Sequence, residues 1–294
     1  MSNSLPQKQK FSVAISTPGY QKLITNTLRD PKRASRFIAS ITSAVATTPA
    51  LQECEASTII SGALLGESLN LSPSPQLGQY YLVPFKDNKA GVTKAQFILG
   101  YKGYIQLAIR SGYYKDIDAI PIHEGEYLGR DKRTGKPIFE FLEDADEAES
   151  RPIVGYMAYF EYENGFQKTI YWSFEKMLAH ADHYSKAFSA EAYKNIKAGK
   201  VSDKDLWKYS SFWYKDFDSM ALKTLLRQLI SKWGIMSIEM QTAFDSEDKV
   251  IRAQEDGIFT QEEAEIEPVT VHPADQPTVE AEPIAVKQAS LDDF

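Results

Sequence analysis

A switch from strand to helix at Gly100 constrains the fold of this chain more than any other stretch of its sequence. Residues 97–99 are apolar, Gly100 interrupts them, and a helical pattern begins at the next residue. Apolar residues then recur at the i, i+3, i+4, i+7 and i+8 spacing of a buried helical face. The face predicted in this way contains Tyr101, Tyr104, Ile105, Ala108 and Ile109.

A polar stripe follows another face of the same helix. Lys102, Gln106 and Arg110 are spaced four residues apart, so their side chains lie one above the other. Two cations and an amide next to Tyr104 suit a nucleic-acid backbone, which proteins hold mainly through phosphate contacts. We call the three residues the first basic stripe and predict that they and Tyr104 contact DNA.

A second basic stripe is predicted on the last long helical segment of the sequence. Residues 203–233 have a helical pattern that ends at Gly234. Successive residues of a helix are rotated by about 100°, so the second basic stripe occupies about one third of the helix surface and leucines occupy the opposite side. The alternative interpretation is a solvated face. The stripe contains Lys215, Ser219, Lys223 and Arg227.

Aromatic residues cluster at the start of this region, between residues 207 and 217, and are interleaved with lysines. Stacking on such rings stabilises bound single strands by about 1–3 kcal/mol per base. Trp213 and Phe217 share a helical face, so we expect most of the rings to be core residues. Trp207 and Lys208 are the candidates for DNA contact.

A basic turn is predicted over residues 129–136. It carries Arg130, Lys132, Arg133 and Lys136. A hairpin tip with four cations can reach a bound strand or a neighbouring subunit, or it can simply keep the protein soluble. We include the first three residues among the DNA-binding candidates.

The overall pattern predicts an α+β fold of antiparallel hairpins packed with helices. Asn164-Gly165 is the strongest hairpin signal, and Ser173 is a typical helix N-cap. We expect a flexible N-terminus over residues 1–18, one core over residues 19–244 and a disordered acidic tail over residues 245–294. The expected strand pairs are 79–86 with 92–99, 113–124 with 137–142, and 152–162 with 166–172.

The charge distribution bears on the partners of the chain. The formal net charge is −7, but residues 245–294 alone carry −11, so the remaining residues are mildly basic at +4. The negative net charge of the whole chain therefore does not argue against a nucleic-acid partner, because the excess acid is concentrated in residues 245–294.

Several functional classes lack their sequence signals. A single cysteine, Cys54, excludes an internal disulfide framework, and no phosphate-binding loop predicts ATP use. The pairs Asp203/Asp205 and Asp216/Asp218 resemble nuclease carboxylates, but residues i and i+2 of a helix point about 200° apart. We expect no catalysis, no metal and no cofactor, and the lack of an apolar leader or span predicts a cytoplasmic protein without a membrane partner.

Several motifs have a family likeness. The block Gly100-Tyr101-Lys102-Gly103, with Leu107 and Arg110-Ser111-Gly112, resembles the central block of the RecT family of phage single-strand annealing recombinases. The likeness extends over roughly residues 20–244. Its other parts are Thr48-Pro49-Ala50-Leu51 with Cys54, Leu69–Pro73, Leu77–Phe85, Trp213, Met220–Thr224 and Arg227.

The resemblance implies a function. Such a protein pairs complementary DNA strands without ATP, binds single strands and annealed duplex without sequence preference, and assembles into rings or helical filaments. It works with a phage exonuclease that exposes the strand. Two alternatives remain open from the residues: a metal-dependent nuclease and a protein that only coats single strands.

The final residues, Ser290-Leu291-Asp292-Asp293-Phe294, look similar to the acidic tip of bacterial single-strand binding protein. The acidic tail could compete with DNA for the basic core, its tip could engage host partners of that binding protein, or it could act only as a solubilising segment. We expect removal of residues 250–294 to leave folding intact.

Overall fold

The computed structural model describes residues 10–87, 90–247, 249–254 and 258–263, and it confirms an α+β fold with antiparallel sheets. The helices are α1 Phe11–Ala14, α2 Pro18–Leu28, α3 Pro31–Thr47, α4 Pro49–Gln52, α5 Ala56–Ser68, α6 Tyr101–Arg110, α7 Ala145–Ser150, α8 Phe174–Tyr184, α9 Ala190–Lys197, α10 Phe212–Lys215, α11 Phe217–Trp233 and α12 Ile238–Ser246, with a 3-10 helix at Asp203–Lys208. The strands are β1 Tyr80–Asp87, β2 Val92–Leu99, β3 Tyr114–His123, β4 Tyr127–Arg130, β5 Pro137–Phe139, β6 Ile153–Tyr162, β7 Gln167–Ser173, β8 Lys249–Ala253 and β9 Phe259–Glu263.

The strands form one three-stranded sheet, in the order β3-β6-β7, and three two-stranded hairpins. The β1–β2 hairpin and the β6–β7 hairpin across Asn164-Gly165 agree with the sequence prediction. The predicted pairing of 113–124 with 137–142 is wrong, because β3 pairs with β6 and β5 pairs with β4. Alternation of apolar residues identifies strands but does not choose their partners.

The strand-to-helix switch is confirmed, and close packing explains its two glycines. A Cβ atom at Gly100 would lie 2.1 Å from the carbonyl oxygen of Gly78, and one at Gly103 would lie 2.1 Å from that of Gln79. The chain before β1 therefore runs directly against the first turn of α6. The buried face of α6 is rotated from the predicted one, since Leu107 is 3% exposed and Ile109 is 53% exposed.

The predicted long helix over 203–233 is broken in the structure. Asp216 has a non-helical backbone, with φ −148° and ψ 72°, and its side chain caps α11 by accepting from the Ser219 amide at 3.1 Å. Lys215 consequently belongs to α10 and not to the helix of Lys223. An aspartate before a helix competes with helical continuation by bonding the next free amides.

Part of the predicted flexible N-terminus is packed in the core. Phe11 and Ile15 are 4% and 1% exposed, and α1 contacts α3. The prediction of a flexible segment is wrong for residues 10–18, because two large apolar side chains are enough to anchor a short helix. Residues 1–9 lie outside the described residues.

The predicted start of the disordered tail is also wrong. The β8–β9 hairpin packs against α5 and β2, with Val250 and Ala253 each 1% exposed. Arg252 pairs with Glu55 at 2.8 Å, and Glu262 pairs with Lys94 at 2.6 Å. Long-range pairing supplies the stability that the acidic local sequence lacks. Residues 264–294, which include the final Ser290–Phe294 motif, lie outside the described residues.

Helix α11 lies across the three-stranded sheet and contacts β6, β3, β7 and α6. Its buried face contains Ala221, Leu225, Leu226, Leu229 and Ile230, each fully buried. The two ends of α11 reach two different surfaces of the protein, which are described below. Among the described residues, no helix is long and apolar enough to cross a membrane.

Candidate nucleic-acid interface

A groove of about 730 Å³ lies between the β1–β2 hairpin and the segment that leads into α11. Leu82, Val83, Pro84 and Ile98 form its hairpin wall. The opposite wall is built from the 3-10 helix, α10 and the end of α8. We use "the groove" for this cleft, which has a mainly apolar surface and is open to solvent.

Exposed aromatic rings line the groove. Tyr184 is 72% exposed and Phe212 is 38% exposed, while Trp207 is half-buried. Trp213 also borders the groove but is only 7% exposed and packs against Phe217, so it is a core residue. Of the aromatic cluster predicted around residues 207–217, the structure leaves few rings accessible to a base.

Two lysines at the groove carry charges that are not neutralised. Lys186 follows α8 and Lys215 ends α10, and both are exposed lining residues. Neither forms an ion pair with any described residue. Phosphate groups attract such charges strongly, because binding there releases condensed counterions.

Lys223 and Arg227, also in the second basic stripe, are held by a buried carboxylate. Glu247 is 2% exposed, and its Oε1 lies 2.7 Å from Lys223 Nζ and accepts from the Leu99 amide at 3.0 Å. Its Oε2 lies 2.9 Å from Arg227 Nη1 and accepts from the Tyr104 hydroxyl at 2.5 Å. One carboxylate therefore satisfies two cations, a phenol and a backbone amide.

This cluster changes the expectation for three predicted DNA contacts. Tyr104 is fully buried, so its predicted contact with DNA is wrong. The Lys223 side chain is 11% exposed and that of Arg227 is 33% exposed. Lys223 still borders the groove, but its charge is committed to Glu247. The second basic stripe is thus divided between an accessible Lys215 and two cations of a buried network.

The first basic stripe is exposed but has a partly structural role. Arg110 donates to the carbonyl oxygens of Leu69 at 2.8 Å and Asn70 at 3.1 Å, and thereby caps the chain that leaves α5. Gln106 and Lys102 are exposed. The Lys102 side chain lies beside Gly78, close to Tyr81, whose ring is 5.6 Å from that of Phe212. Lys102 therefore lies next to the groove, whereas Arg110 points to the end of α5.

The basic turn and Lys208 lie outside the groove lining. Asp131 organises the turn by accepting from the amides of Arg133 and Thr134, and hydrogen bonds from Thr134 lower the pKa of its carboxyl. Lys132 and Arg133 are exposed at the tip, and Arg130 lines a separate pocket. Lys208 pairs with Asp205 at 2.6 Å.

The sequence prediction therefore located the groove only in part. Of the residues predicted to bind DNA, Trp207, Lys215 and Lys223 line the groove, and their contact with DNA remains a prediction. Tyr184 and Lys186 were missed, because the end of an amphipathic helix gives no signal of what it faces. Glu247 was missed because it belongs to the segment assigned to the tail.

Comparisons with known proteins agree with the motifs. A family model described as the RecT family matches residues 35–270. The chain belongs to the RecT family. This assignment confirms the resemblance found in the sequence, and it supports a general role in DNA recombination and single-strand annealing.

The chain is also similar to two bacterial proteins. It is 41% identical over 220 residues to protein YqaK of Bacillus subtilis (strain 168), which covers 74% of this chain and 66% of that protein. It is 27% identical over 285 residues to Protein RecT of Escherichia coli (strain K12), which covers 95% of this chain and 90% of that protein.

Three of the four aspartates considered for a nuclease have structural partners in this RecT-family chain, and the fourth, Asp203, lines the groove. Asp205 pairs with Lys208 at 2.6 Å. Asp216 caps α11, and Asp218 accepts a hydrogen bond from the Tyr156 hydroxyl at 2.5 Å. Within the described part of the chain, no three His, Cys, Asp or Glu residues lie together as a metal-binding group. The absence of catalysis remains a prediction.

Proposed function

We propose that this RecT-family chain binds single-stranded DNA in the groove and promotes its pairing with a complementary strand without a nucleotide cofactor. The observation that supports it best is the combination of exposed aromatic rings with two unneutralised lysines in one open cleft. Rings can stack on bases of any sequence, and lysines can hold phosphates of any sequence. The expected binding is therefore independent of sequence.

The aromatic part of the site has three members. Tyr184, Trp207 and Phe212 border the groove and expose ring surface to solvent. A base that stacks on such a ring gains about 1–3 kcal/mol. The apolar hairpin wall excludes water from the stacked bases on the opposite side. We infer that the bases enter the groove only transiently, since a partner strand must be able to reach them.

The cationic part of the site is Lys186 and Lys215, with Lys102 next to the groove. Neutralisation of phosphates lowers the repulsion between two DNA strands, which is the main electrostatic barrier to their pairing. Lys223 contributes less because Glu247 already balances its charge.

A single groove of this size holds few nucleotides, so pairing over long distances requires many subunits side by side. We infer a ring or a helical filament of identical chains, since contacts that repeat head to tail generate such assemblies. An exonuclease would supply the single strand, and the work would take place in the bacterial cytoplasm. Host single-strand binding protein, or its partners, would meet the same DNA.

The experiment is a fluorescence annealing assay with two complementary oligonucleotides, one carrying a dye and the other a quencher. We expect faster pairing with protein than without, no dependence on ATP, and both strands still full length. The double variant Lys186→Gln/Lys215→Gln should bind single strands more weakly and anneal more slowly. Its slope of log K against log salt should fall by about 0.7 for each lost phosphate contact.

The matched control is Lys22→Gln/Lys200→Gln, which removes the same charge from two exposed residues outside the groove. It should bind and anneal like the parent protein. If both double variants behave alike, the groove is not the DNA site. Slower pairing in the presence of protein would indicate a coating protein, and cut strands with magnesium or manganese would indicate a nuclease.

A further inference from the structure

A second cationic and aromatic pocket lies at the C-terminal end of α11. It has a volume of about 220 Å³ and is formed by the basic turn, β7, the first turn of α8 and the last residue of α11. We call it the indole pocket. Its chemically distinctive lining residues are Arg130, Lys136, Lys168, Lys176, Trp172 and Trp233.

The charge of the indole pocket is entirely positive. Four cations line it, and no Asp or Glu residue does. None of the four forms an ion pair with a described residue. This differs from Lys223 and Arg227, whose charges Glu247 balances.

Each indole of the pocket has a pocket lysine over its face, and Lys232 also lies 4.8 Å from the Trp233 ring centre and the His180 ring 5.1 Å from that of Trp172. Lys168 Nζ lies 4.5 Å from the centre of the Trp233 ring, and Lys176 Nζ lies 4.3 Å from that of Trp172. A cation over an aromatic face is attracted by the ring but keeps its full charge. The contacts therefore hold two ammonium groups in place next to flat apolar surfaces, without neutralising them.

The indole pocket is separate from the groove. The two share no lining residue. Lys223 borders the groove and Trp233 borders the pocket, and ten residues of one helix correspond to about 15 Å along its axis. A ligand the size of one nucleotide in one site is therefore not in contact with the lining of the other.

We propose that the indole pocket is a second nucleic-acid site, which holds the phosphates of a second strand while the groove holds the first. Clustered cations bind phosphates, and the two indoles, whose faces are covered by other side chains, hold ammonium groups in place for that purpose. The lining of the pocket alone supports binding of nucleic acid there. That the bound strand is the complementary one rests on the proposed function. A protein that pairs strands gains from holding both.

The four tryptophans of the chain make the two sites separately observable. Trp207 and Trp213 border the groove, and Trp172 and Trp233 border the indole pocket. The double variant Trp207→Phe/Trp213→Phe therefore reports on the pocket alone, and Trp172→Phe/Trp233→Phe reports on the groove alone. Thermal unfolding of each variant establishes that it is folded before titration.

The first measurement is quenching of tryptophan fluorescence by oligothymidylate. Both variants should be quenched, each with its own midpoint and each less strongly as salt rises. In the pocket-reporting protein, the added substitutions Arg130→Gln, Lys136→Gln, Lys168→Gln and Lys176→Gln should abolish the response. Four Gln substitutions at exposed lysines outside both sites, Lys10, Lys22, Lys32 and Lys200, should leave it in place.

The second measurement needs no tryptophan substitution. With all four tryptophans present, the quadruple Gln variant of the pocket should bind a first labelled strand within about twofold of the parent. It should anneal the complementary strand several-fold more slowly. The control with Gln at residues 10, 22, 32 and 200 should anneal at the parent rate.

Three results would overturn the second site. The first is a pocket-reporting protein that DNA does not quench at any salt concentration. The second is a quadruple variant that anneals like the parent. The third is a change of pocket fluorescence caused by removal of residues 264–294 and not by DNA, which would identify the acidic segment of this chain as the occupant. Loss of groove binding alone would instead count against the proposed function.

Discussion

The two ends of α11 show how the same residue types acquire different roles. Toward its N-terminal half, Lys223 and Arg227 form a regular stripe, yet both charges are balanced by the buried Glu247. At its C-terminal end, Lys168 and Lys176 form no stripe in the sequence, yet they face a pocket without any acid. Helical spacing of cations therefore does not identify a DNA-binding face unless the partner carboxylates are known.

The comparison also separates residues that stabilise the wall of the groove from residues that are proposed to bind DNA. Glu247 connects α11, α6 and the end of β2 through hydrogen bonds to Tyr104 and the Leu99 amide. Lys215 belongs to a different helix and has no such connection. The first group should control stability, and the second should control affinity.

The largest expected effect is on stability, from Glu247→Gln. The substitution leaves Lys223, whose side chain is 11% exposed, without its countercharge. Removal of one partner from a buried ion pair costs about 3–5 kcal/mol. Urea denaturation should show this loss in the free energy of unfolding. The control Glu175→Gln alters a side chain that is 74% exposed and should change it by less than about 0.5 kcal/mol.

If Glu247→Gln is as stable as the parent, the cations near it are not held by this carboxylate. They would then be available to DNA, and the distinction between the two ends of α11 would fail.

A pair of truncations should give the next largest effect. Truncation after residue 248 removes β8 and β9, and with them the buried Val250 and Ala253. Burial of a valine side chain alone contributes about 1.5–3 kcal/mol, so the loss in the free energy of unfolding should be at least of that order. Thermal and urea unfolding measure it.

Truncation after residue 263 is the matched variant, because it removes none of the contacts described above. It removes seven acidic residues and one basic residue. It should keep the stability of the full chain and tighten DNA binding at low salt more than at high salt. Equal affinity at every salt concentration would exclude competition between the acidic segment and DNA.

Lys215→Gln and Lys223→Gln should have opposite profiles. Lys215→Gln should weaken single-strand binding and lower the salt slope by about 0.7, with the free energy of unfolding unchanged. Lys223→Gln should lower the free energy of unfolding by about 1–3 kcal/mol, because Glu247 loses one of its partners. It should leave the salt slope nearly unchanged. Fluorescence anisotropy titrations at several salt concentrations measure the binding of each variant, and urea unfolding measures its stability. If both variants lose the same property, the division of the second basic stripe is contradicted.

The smallest expected effect is a pH dependence at the β8–β9 hairpin. The hydrogen bond from Lys94 and the nearby Arg252 guanidinium lower the pKa of Glu262 from its usual value of 4.5. A lowered carboxyl pKa stabilises the fold above the unfolded pKa, and this contribution is lost as the pH falls through the folded one. Because Glu262 is 46% exposed, the effect should be below about 1 kcal/mol.

The difference in free energy of unfolding between the parent and Glu262→Gln measures this contribution. It should be constant above about pH 5 and shrink as the pH falls below 4.5. A difference that does not vary with pH would show that the ion pair with Lys94 does not anchor the hairpin.

The sequence by itself determined much of the local structure and the family. The switch at Gly100, the β1–β2 and β6–β7 hairpins, the N-cap at Ser173 and the RecT motifs depend on short-range patterns that neighbouring residues fully specify. Three of its DNA-binding candidates, Trp207, Lys215 and Lys223, line the groove.

Only the tertiary structure decided which cations are accessible. Glu247 lies 20 residues beyond Arg227 and more than 140 beyond Tyr104, so no periodicity connects them. The partner of β3 and the burial of Val250 are likewise set by contacts between distant segments. Charge and burial depend on distance in space, and a pattern read along the chain reports only on neighbours within a few turns.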